Sequence, residues 1–183
     1  MKSKLVLSVG LLLTCVFQAQ ADHHVQEGFD AGKYVGKWYG LAMAADSPRF
    51  MKIKDTMRMP MSTFTLNADG GLDVTVSFST PQGCQTKHRA YKNGAEPGHF
   101  ESEDDKNGNN SIFVMETDYD TYALMVSLHT QENGQTSVKV SLFGRTPDLT
   151  PELKQKFEAL AKAKNFSAEN FSFPIKDGEC ELV

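Results

Sequence analysis

The sequence predicts an all-β fold, with antiparallel strands in a barrel or sandwich and one late helix on the outside of a closed sheet. Three observations predict it. Strand-length segments follow one another from residue 36 to about residue 143, turn sequences separate them, and the apolar period then changes once to that of a helix. No linker or repeat divides the chain, so residues 22–183 are expected to form one domain.

Five segments have the length and composition of strands, and Asn, Asp and Gly mark turns between them. These segments are residues 56–66, 72–78, 112–116, 121–129 and 136–143. Residues 72–78 alternate most clearly, with one apolar face and one polar face. Val138, Val140 and Leu142 also alternate with Lys139, Ser141 and Phe143. They could face the interior or an outer helix, and periodicity alone does not decide between these two arrangements.

A single helical period lies near the C-terminus. Thr150 and Pro151 form a typical helix start, an N-cap followed by proline in the first turn. Apolar residues then recur at three- and four-residue spacing to about Lys164. Because this apolar stripe must be buried, we expect the helix to pack against the outside of the sheet. A further short strand is expected near residues 171–173.

The N-terminus has the pattern of a secretory signal peptide over residues 1–21. Lys2 and Lys4 precede an apolar run, and Ala19 and Ala21 provide the small-x-small cleavage pattern. The run is too short to span a bilayer, and no later segment is long and apolar enough for stable membrane insertion. The sequence therefore predicts a secreted, extracellular protein that begins near Asp22.

Cleavage at this position would leave two of the three cysteines, Cys84 and Cys180. In an oxidising compartment such a pair normally forms a disulfide, which leaves no thiol for metal binding or catalysis. We predict no metal site and no cofactor. The sequence lacks a basic stripe and carries 19 basic against 23 acidic residues, which disfavours nucleic acid as a partner. Three N-x-Ser sequons are candidate glycosylation sites, at Asn109, Asn165 and Asn170.

Three separated motifs carry a family resemblance. Gly36-Lys37-Trp38 follows a short helical segment, Thr117-Asp118-Tyr119 lies at a predicted hairpin, and Gly144-Arg145 ends a predicted strand. Together with the later helix and the paired cysteines, they resemble the lipocalin family over essentially the whole mature chain. This resemblance implies an eight-stranded up-and-down barrel that holds a small hydrophobic molecule. It also implies that Trp38 plugs the closed end under Arg145, as barrel closure rather than chemistry.

Within this family the sequence most resembles the lipocalin-type prostaglandin D synthases and their non-enzymatic relatives, through residues 116–124 and 145–157. Those enzymes attack their substrate with a cysteine on the second strand, and the corresponding position here is Pro60. Gly40 and Val76 stand where the enzymes have cavity hydroxyls, and Ser62 alone keeps one. We therefore predict no catalytic residue, with isomerase activity as a disfavoured alternative.

Loss of these polar groups predicts an apolar cavity. Alternation along the first strand from Trp38 turns Gly40, Ala42 and Ala44 inward. Such a cavity predicts binding and transport of a retinoid, fatty acid or similar lipid. The predicted ligand-binding residues are Gly40, Ala42, Ser62, Val74, Val76, Phe78, Phe113, Met115 and Phe143.

The mouth of the barrel leaves alternatives open. The methionines within residues 51–61 suit an adaptable entrance or serve as ordinary core and loop residues. Arg58, Lys87 and Arg89 could meet a ligand carboxylate or lie on the surface. A lipocalin that sequesters a charged ligand, such as an iron chelate, would need several cations in its cavity, and Lys139 is one candidate. A cell-surface receptor or another protein partner is a further alternative.

Overall fold

The structure is a computed structural model that describes residues 24–104, 108–176 and 180. The predicted signal peptide, residues 1–21, and the predicted new terminus at Asp22 lie outside the described residues. Secretion therefore stays a prediction at this point. Within the described part of the chain, no helix has both the length and the apolar character needed to cross a membrane.

Eight strands form an up-and-down antiparallel sheet that closes on itself, which confirms the predicted barrel. Each strand pairs with the next along the chain, and β1 closes the sheet by pairing with both β2 and β8. A short ninth strand, β9 (Phe171–Ser172), pairs with β1. The barrel strands are β1 (Gly36–Ala45), β2 (Met61–Leu66), β3 (Leu72–Thr80), β4 (Gly83–Asn93), β5 (His99–Asp104), β6 (Gly108–Thr117), β7 (Tyr122–Thr130) and β8 (Thr136–Gly144).

The predicted C-terminal helix is α3 (Pro151–Ala163), and it packs outside the barrel. The Thr150 hydroxyl accepts the Leu153 N–H at 3.3 Å and so satisfies one of the free donors of the first turn. Phe157 and Ala161 are fully buried in an outer cluster that also contains Val140. The valines and Leu142 of β8 therefore face outward, beneath the helix.

Two shorter helices lie at opposite ends of the barrel, the first at the closed end and the second at the mouth. The helix α1 (Ala31–Tyr34) leads directly into β1, and α2 (Pro48–Ile53) lies in the connection between β1 and β2. Ser47 caps α2, since its hydroxyl accepts the Phe50 N–H at 3.3 Å, and Pro48 occupies the first turn. Ser47 and Pro48 thus form a helix start that is recognisable in the sequence and was not among the predicted elements.

Trp38 and Arg145 meet at the closed end of the barrel, as the resemblance implied. The Trp38 side chain is fully buried, and the Arg145 guanidinium carbon lies 3.7 Å from its ring centroid. The same guanidinium donates to the backbone carbonyls of Lys33, Lys37 and Tyr119 at 3.2, 3.1 and 2.8 Å. One side chain thus ties α1, β1 and the β6–β7 turn together.

The predicted disulfide is present between Cys84 and Cys180, with Cα atoms 5.6 Å apart. It connects the start of β4 to the C-terminal segment, across a sequence separation of 96 residues. With both sulfurs bonded, the described residues contain no free thiol.

Candidate functional site

The interior of the barrel has a filled floor and an open upper part. Large side chains pack tightly near the closed end and leave little space there. Above them a cavity of about 770 Å³ extends to the mouth, where Ser47, Arg49 and Phe50 form part of its rim. The floor consists mainly of Tyr34, Trp38, Phe64, Val74, Phe100, Ile112, Val114 and Met125.

The wall of this cavity is polar, so the prediction of an apolar cavity is wrong for its upper part. Ser127 is paired across the sheet with Lys139, and His129 is paired with Ser137, so these four side chains share the inward face. Arg89 of β4 completes the wall opposite. A hydrogen bond of 3.0 Å joins the His129 ring to the Asn110 amide oxygen.

Lys139 and Arg89 form what we call the cationic site. Much of the Lys139 side chain is exposed to the water-accessible cavity, although atoms of the barrel wall lie close around it. Its desolvation lowers the pKa of Lys139, and the nearby Arg89 guanidinium lowers that pKa further. The Lys139 amine has no carboxylate partner within hydrogen-bond or ion-pair distance among the described residues.

Other polar groups extend this polarity inside the barrel. The buried hydroxyls of Ser102 and Ser141 have no hydrogen-bond partner among the described residues. Ser141 shares the inward face of β8 with Lys139, two residues further along the strand. On β4, Lys87 shares the inward face with Arg89, and its Nζ lies 5.6 Å from the Phe78 ring centroid. The upper part of the interior is thus rich in donors.

Three of the predicted ligand-binding residues face away from the interior, the first being Ala42. A β-bulge in β1 changes the register with β8 between Gly40, paired with Phe143, and Ala42, paired with Leu142. The extra residue reverses the alternation, so Ala42 lies in the outer cluster beneath α3. The prediction for Ala44 is wrong for the same reason. Ala45 instead faces inward and lines the cavity.

Phe113 and Met115 on β6 also face outward, contrary to prediction. The Phe113 ring stacks on the His99 ring with centroids 4.4 Å apart, and Met115 packs against the outer cluster. Their neighbours Ile112 and Val114 face inward instead and form part of the floor. All four residues from 112 to 115 are apolar, so alternation could not distinguish the two faces.

The remaining six predicted residues lie on the inward face but not in the described wall of the large cavity. Val74 is 1% exposed within the floor, and Phe143 packs against the floor cluster. Contact of these residues with a ligand stays a prediction. The six are Gly40, Ser62, Val74, Val76, Phe78 and Phe143.

Pro60, at the position of the enzymes' nucleophile, closes against β1. Its carbonyl accepts the Gly40 N–H at 2.8 Å. A Cβ added at Gly40 would lie 2.7 Å from the Pro60 Cγ, so glycine is required for this close approach. The proline offers no group that could attack a substrate.

The predicted glycosylation sites differ in their surroundings. Asn109 on β6 and Asn165 after α3 are exposed. Asn170 is half-buried, and its side-chain oxygen accepts the Ser167 N–H at 3.0 Å. Modification of any of the three stays a prediction. No group of three or more His, Cys, Asp or Glu side chains among the described residues is arranged to hold a metal ion.

Comparison with known proteins agrees with this geometry. Residues 35–178 match the Lipocalin / cytosolic fatty-acid binding protein family. The chain belongs to the lipocalin family. Its structure is similar to the solution structure of lipocalin 12 from rat epididymis, with a TM-score of 0.77 and 27% identity over 87% of this chain and 93% of that one. Family membership supports binding of a small hydrophobic ligand in the barrel.

Three relatives of this lipocalin span nearly its whole length. A lipocalin of Rhinella marina is 35% identical, covering 96% of each chain. The prostaglandin-H2 D-isomerase of Mus musculus is 32% identical, covering 94% of this chain and 92% of the relative. The extracellular fatty acid-binding protein of Coturnix japonica is 29% identical, covering 97% of each. Enzymes and binding proteins thus both occur among its relatives.

Proposed function

We propose that this lipocalin is a secreted carrier of an amphipathic lipid with an anionic head, such as a long-chain fatty acid. The observation that carries the proposal is the cationic site, Lys139 and Arg89, in the wall of a cavity above an apolar floor. The acid form of a retinoid shares this chemistry. A retinoid alcohol, which has no negative charge, does not use it.

A carboxylate would stabilise the ammonium form of Lys139 in the cavity. The barrel wall partly desolvates the Lys139 ammonium and the Arg89 cation lies nearby, so an anionic head placed between the two cations relieves both effects. The acyl chain would be removed from water against the floor, at roughly 25 cal/mol per Å² of apolar surface. Head and tail together are sufficient for micromolar affinity or better, which corresponds to about 8 kcal/mol.

The relatives support the class of ligand and the compartment. A relative named an extracellular fatty acid-binding protein aligns with 97% of this chain. Its name also agrees with the signal-peptide pattern of residues 1–21.

Fluorescence titration tests the proposal, because Trp38 is the single tryptophan of the chain. Palmitate should quench it saturably, and Lys139→Met should weaken palmitate binding about tenfold, a loss of about 1.4 kcal/mol. Hexadecanol, which has the same chain length and no charge, should bind Lys139→Met at least as well as the wild type. Lys162→Met, on the exposed side of α3, is the control and should leave both affinities unchanged. Equal palmitate affinity in Lys139→Met and wild type would contradict the proposal.

The cations also favour a second candidate, sequestration of a larger anionic ligand such as an iron chelate. Lys87, Arg89 and Lys139 all lie on the inward face, which is the arrangement such a ligand needs. Absorbance of a ferric tris-catecholate complex retained by the protein would measure this binding. Retention at lower concentrations than palmitate needs, together with loss in Lys87→Met, would favour the second candidate.

We propose further that the chain has no prostaglandin isomerase activity. Pro60 stands at the nucleophile position, and both described cysteines are bonded in the disulfide. Product formation from the endoperoxide above the uncatalysed rate, by an unmodified and purified chain, would contradict this statement.

A further inference from the structure

Lys139 differs from the paired lysines on the protein surface. The amines of Lys92 and Lys156 donate to Glu103 and Glu116, which raises the pKa of both lysines. The Lys139 amine has no such carboxylate among the described residues, and it lines the cavity inside the barrel instead of the outer surface. A neutral amine, which is the nucleophilic form, is therefore more accessible at Lys139 than at these surface positions.

The groups that face Lys139 belong to several elements. Arg89 approaches from β4 and His129 lies on the neighbouring β7. Arg49 of α2 and Glu132 of the β7–β8 turn border the same cavity nearer the mouth. Of these groups, Arg89 is the one whose charge lowers the pKa of Lys139, which disfavours the ammonium form.

We propose that this lipocalin also captures lipid aldehydes covalently, through an imine between the Lys139 side chain and the aldehyde carbon. The proposal rests on the proposed function, since an aldehyde of fatty-acid length would occupy the same cavity with its reactive end at the cationic site. A cavity of about 770 Å³ lies within the range of sites that enclose small lipids.

The reaction needs no partner beyond the two reactants. The nitrogen lone pair of neutral Lys139 attacks the carbonyl carbon, a C–N bond forms, and the carbonyl oxygen takes up a proton. The carbinolamine then loses this oxygen as water, with both protons of the water coming from the amine in the net balance, and a C=N bond remains. The unpartnered Ser141 hydroxyl, on the same strand face, is suited to donate a hydrogen bond to the oxygen.

Reductive trapping followed by peptide mass spectrometry tests the capture. The folded protein is incubated with hexadecanal and sodium cyanoborohydride, digested, and searched for the alkylated lysine. We expect the adduct at Lys139, its suppression by saturating palmitate, and its loss in Lys139→Arg. Because arginine keeps the charge but not the nucleophilic amine, Lys139→Arg should still bind palmitate. Lys162, exposed on α3, reports the background reactivity of a surface lysine in the same digest.

The outcomes separate the two proposals. Palmitate binding without enrichment of the adduct at Lys139 over Lys162 overturns aldehyde capture and leaves the carrier function intact. A Lys139 adduct in a protein that does not bind palmitate supports capture and overturns the fatty-acid proposal. If palmitate binds but does not suppress the Lys139 adduct, the proposal that aldehyde and palmitate occupy the same cavity is wrong. Absence of both palmitate binding and the Lys139 adduct overturns both proposals.

Discussion

Asp118 organises the turn between β6 and β7 through one carboxylate. Its Oδ1 accepts the N–H groups of Asp120, Thr121 and Tyr122 at 3.2, 2.8 and 3.0 Å, and its Oδ2 accepts the Thr121 hydroxyl. Burial alone would raise the pKa of Asp118, but these hydrogen bonds outweigh it and hold the pKa below its usual range. The hydrogen bonds of this turn therefore stabilise the ionised form of Asp118.

This linkage predicts a pH-dependent effect of Asp118→Asn. Because the pKa is lower in the folded state, ionised Asp118 stabilises the fold above the pKa of the unfolded chain, and this contribution is lost as the pH falls through the folded value. Asp118→Asn should cost about 1 kcal/mol at neutral pH, the difference between charged and neutral hydrogen bonds at a partly exposed site. The cost should shrink toward zero on acidification. Urea unfolding of both proteins across this pH range measures it.

Asp73 supplies the control for this experiment. It lies exposed on β3, and the described structure shows no hydrogen bond to its carboxylate. Asp73→Asn should leave the free energy of unfolding nearly unchanged at every pH. A cost for Asp118→Asn that stays constant from neutral to acidic pH would show that the charge is not what stabilises the turn.

At the scale of elements, the bulge in β1 decides which of its residues line the cavity. It places Ala42 outward beneath α3 and Ala45 inward at the cavity, the reverse of simple alternation from Trp38. Both are buried alanines on one strand, so the same substitution at each distinguishes the two faces.

Ala42→Phe should destabilise the protein by about 1–3 kcal/mol through overpacking of the outer cluster, with little change in palmitate affinity. Ala45→Phe should weaken palmitate binding instead, since the ring reduces the cavity. Thermal or urea unfolding and the Trp38 titration measure the two effects on each variant. Loss of affinity in Ala42→Phe with normal affinity in Ala45→Phe would mean that β1 alternates without a bulge.

Some elements of the fold could be predicted from the sequence pattern and others could not. Residues 72–78 and α3 were predictable from the sequence, because each has one apolar face and one polar face. Strands β4 and β5 were not assigned as strands. The inward face of β4 carries Lys87 and Arg89, so the strand that lines the cationic site is polar on both sides. Because polar residues lie on both of its faces, β4 lacks the alternation by which a strand is recognised in sequence.

The candidate site was predicted only in part for a related reason. Gly40, Ser62 and Val76 were placed on the inward face correctly through the resemblance and the pairing of strands. Lys139 was identified as one candidate cation, but its approach to Arg89 joins strands β8 and β4, which are far apart in the sequence. Such contacts depend on closure of the barrel, and periodicity along one strand does not report them.

At the scale of the whole molecule, three regions of the structure have different roles. The outer cluster holds α3 against the barrel. The apolar floor and Arg145 close one end of the barrel, and the upper interior stays open and charged. Because the floor and the outer cluster supply most of the buried apolar surface, the cavity can contain cations such as Lys139 that would be unfavourable in a packed core. The site's polarity is thus supported by packing elsewhere.

The disulfide acts on the whole chain rather than on the site. It joins residues 96 positions apart, and a closed loop of this length lowers the entropy of the unfolded state by an amount worth about 4 kcal/mol. The double variant Cys84→Ala, Cys180→Ala should lose about that much in urea unfolding. Its palmitate affinity under native conditions should change little, because neither cysteine lines the cavity. A loss below about 1 kcal/mol would show that the C-terminal segment holds β4 through packing and not through the bond. A large loss of affinity at unchanged stability would instead show that the bond positions β4, and with it Arg89, against Lys139.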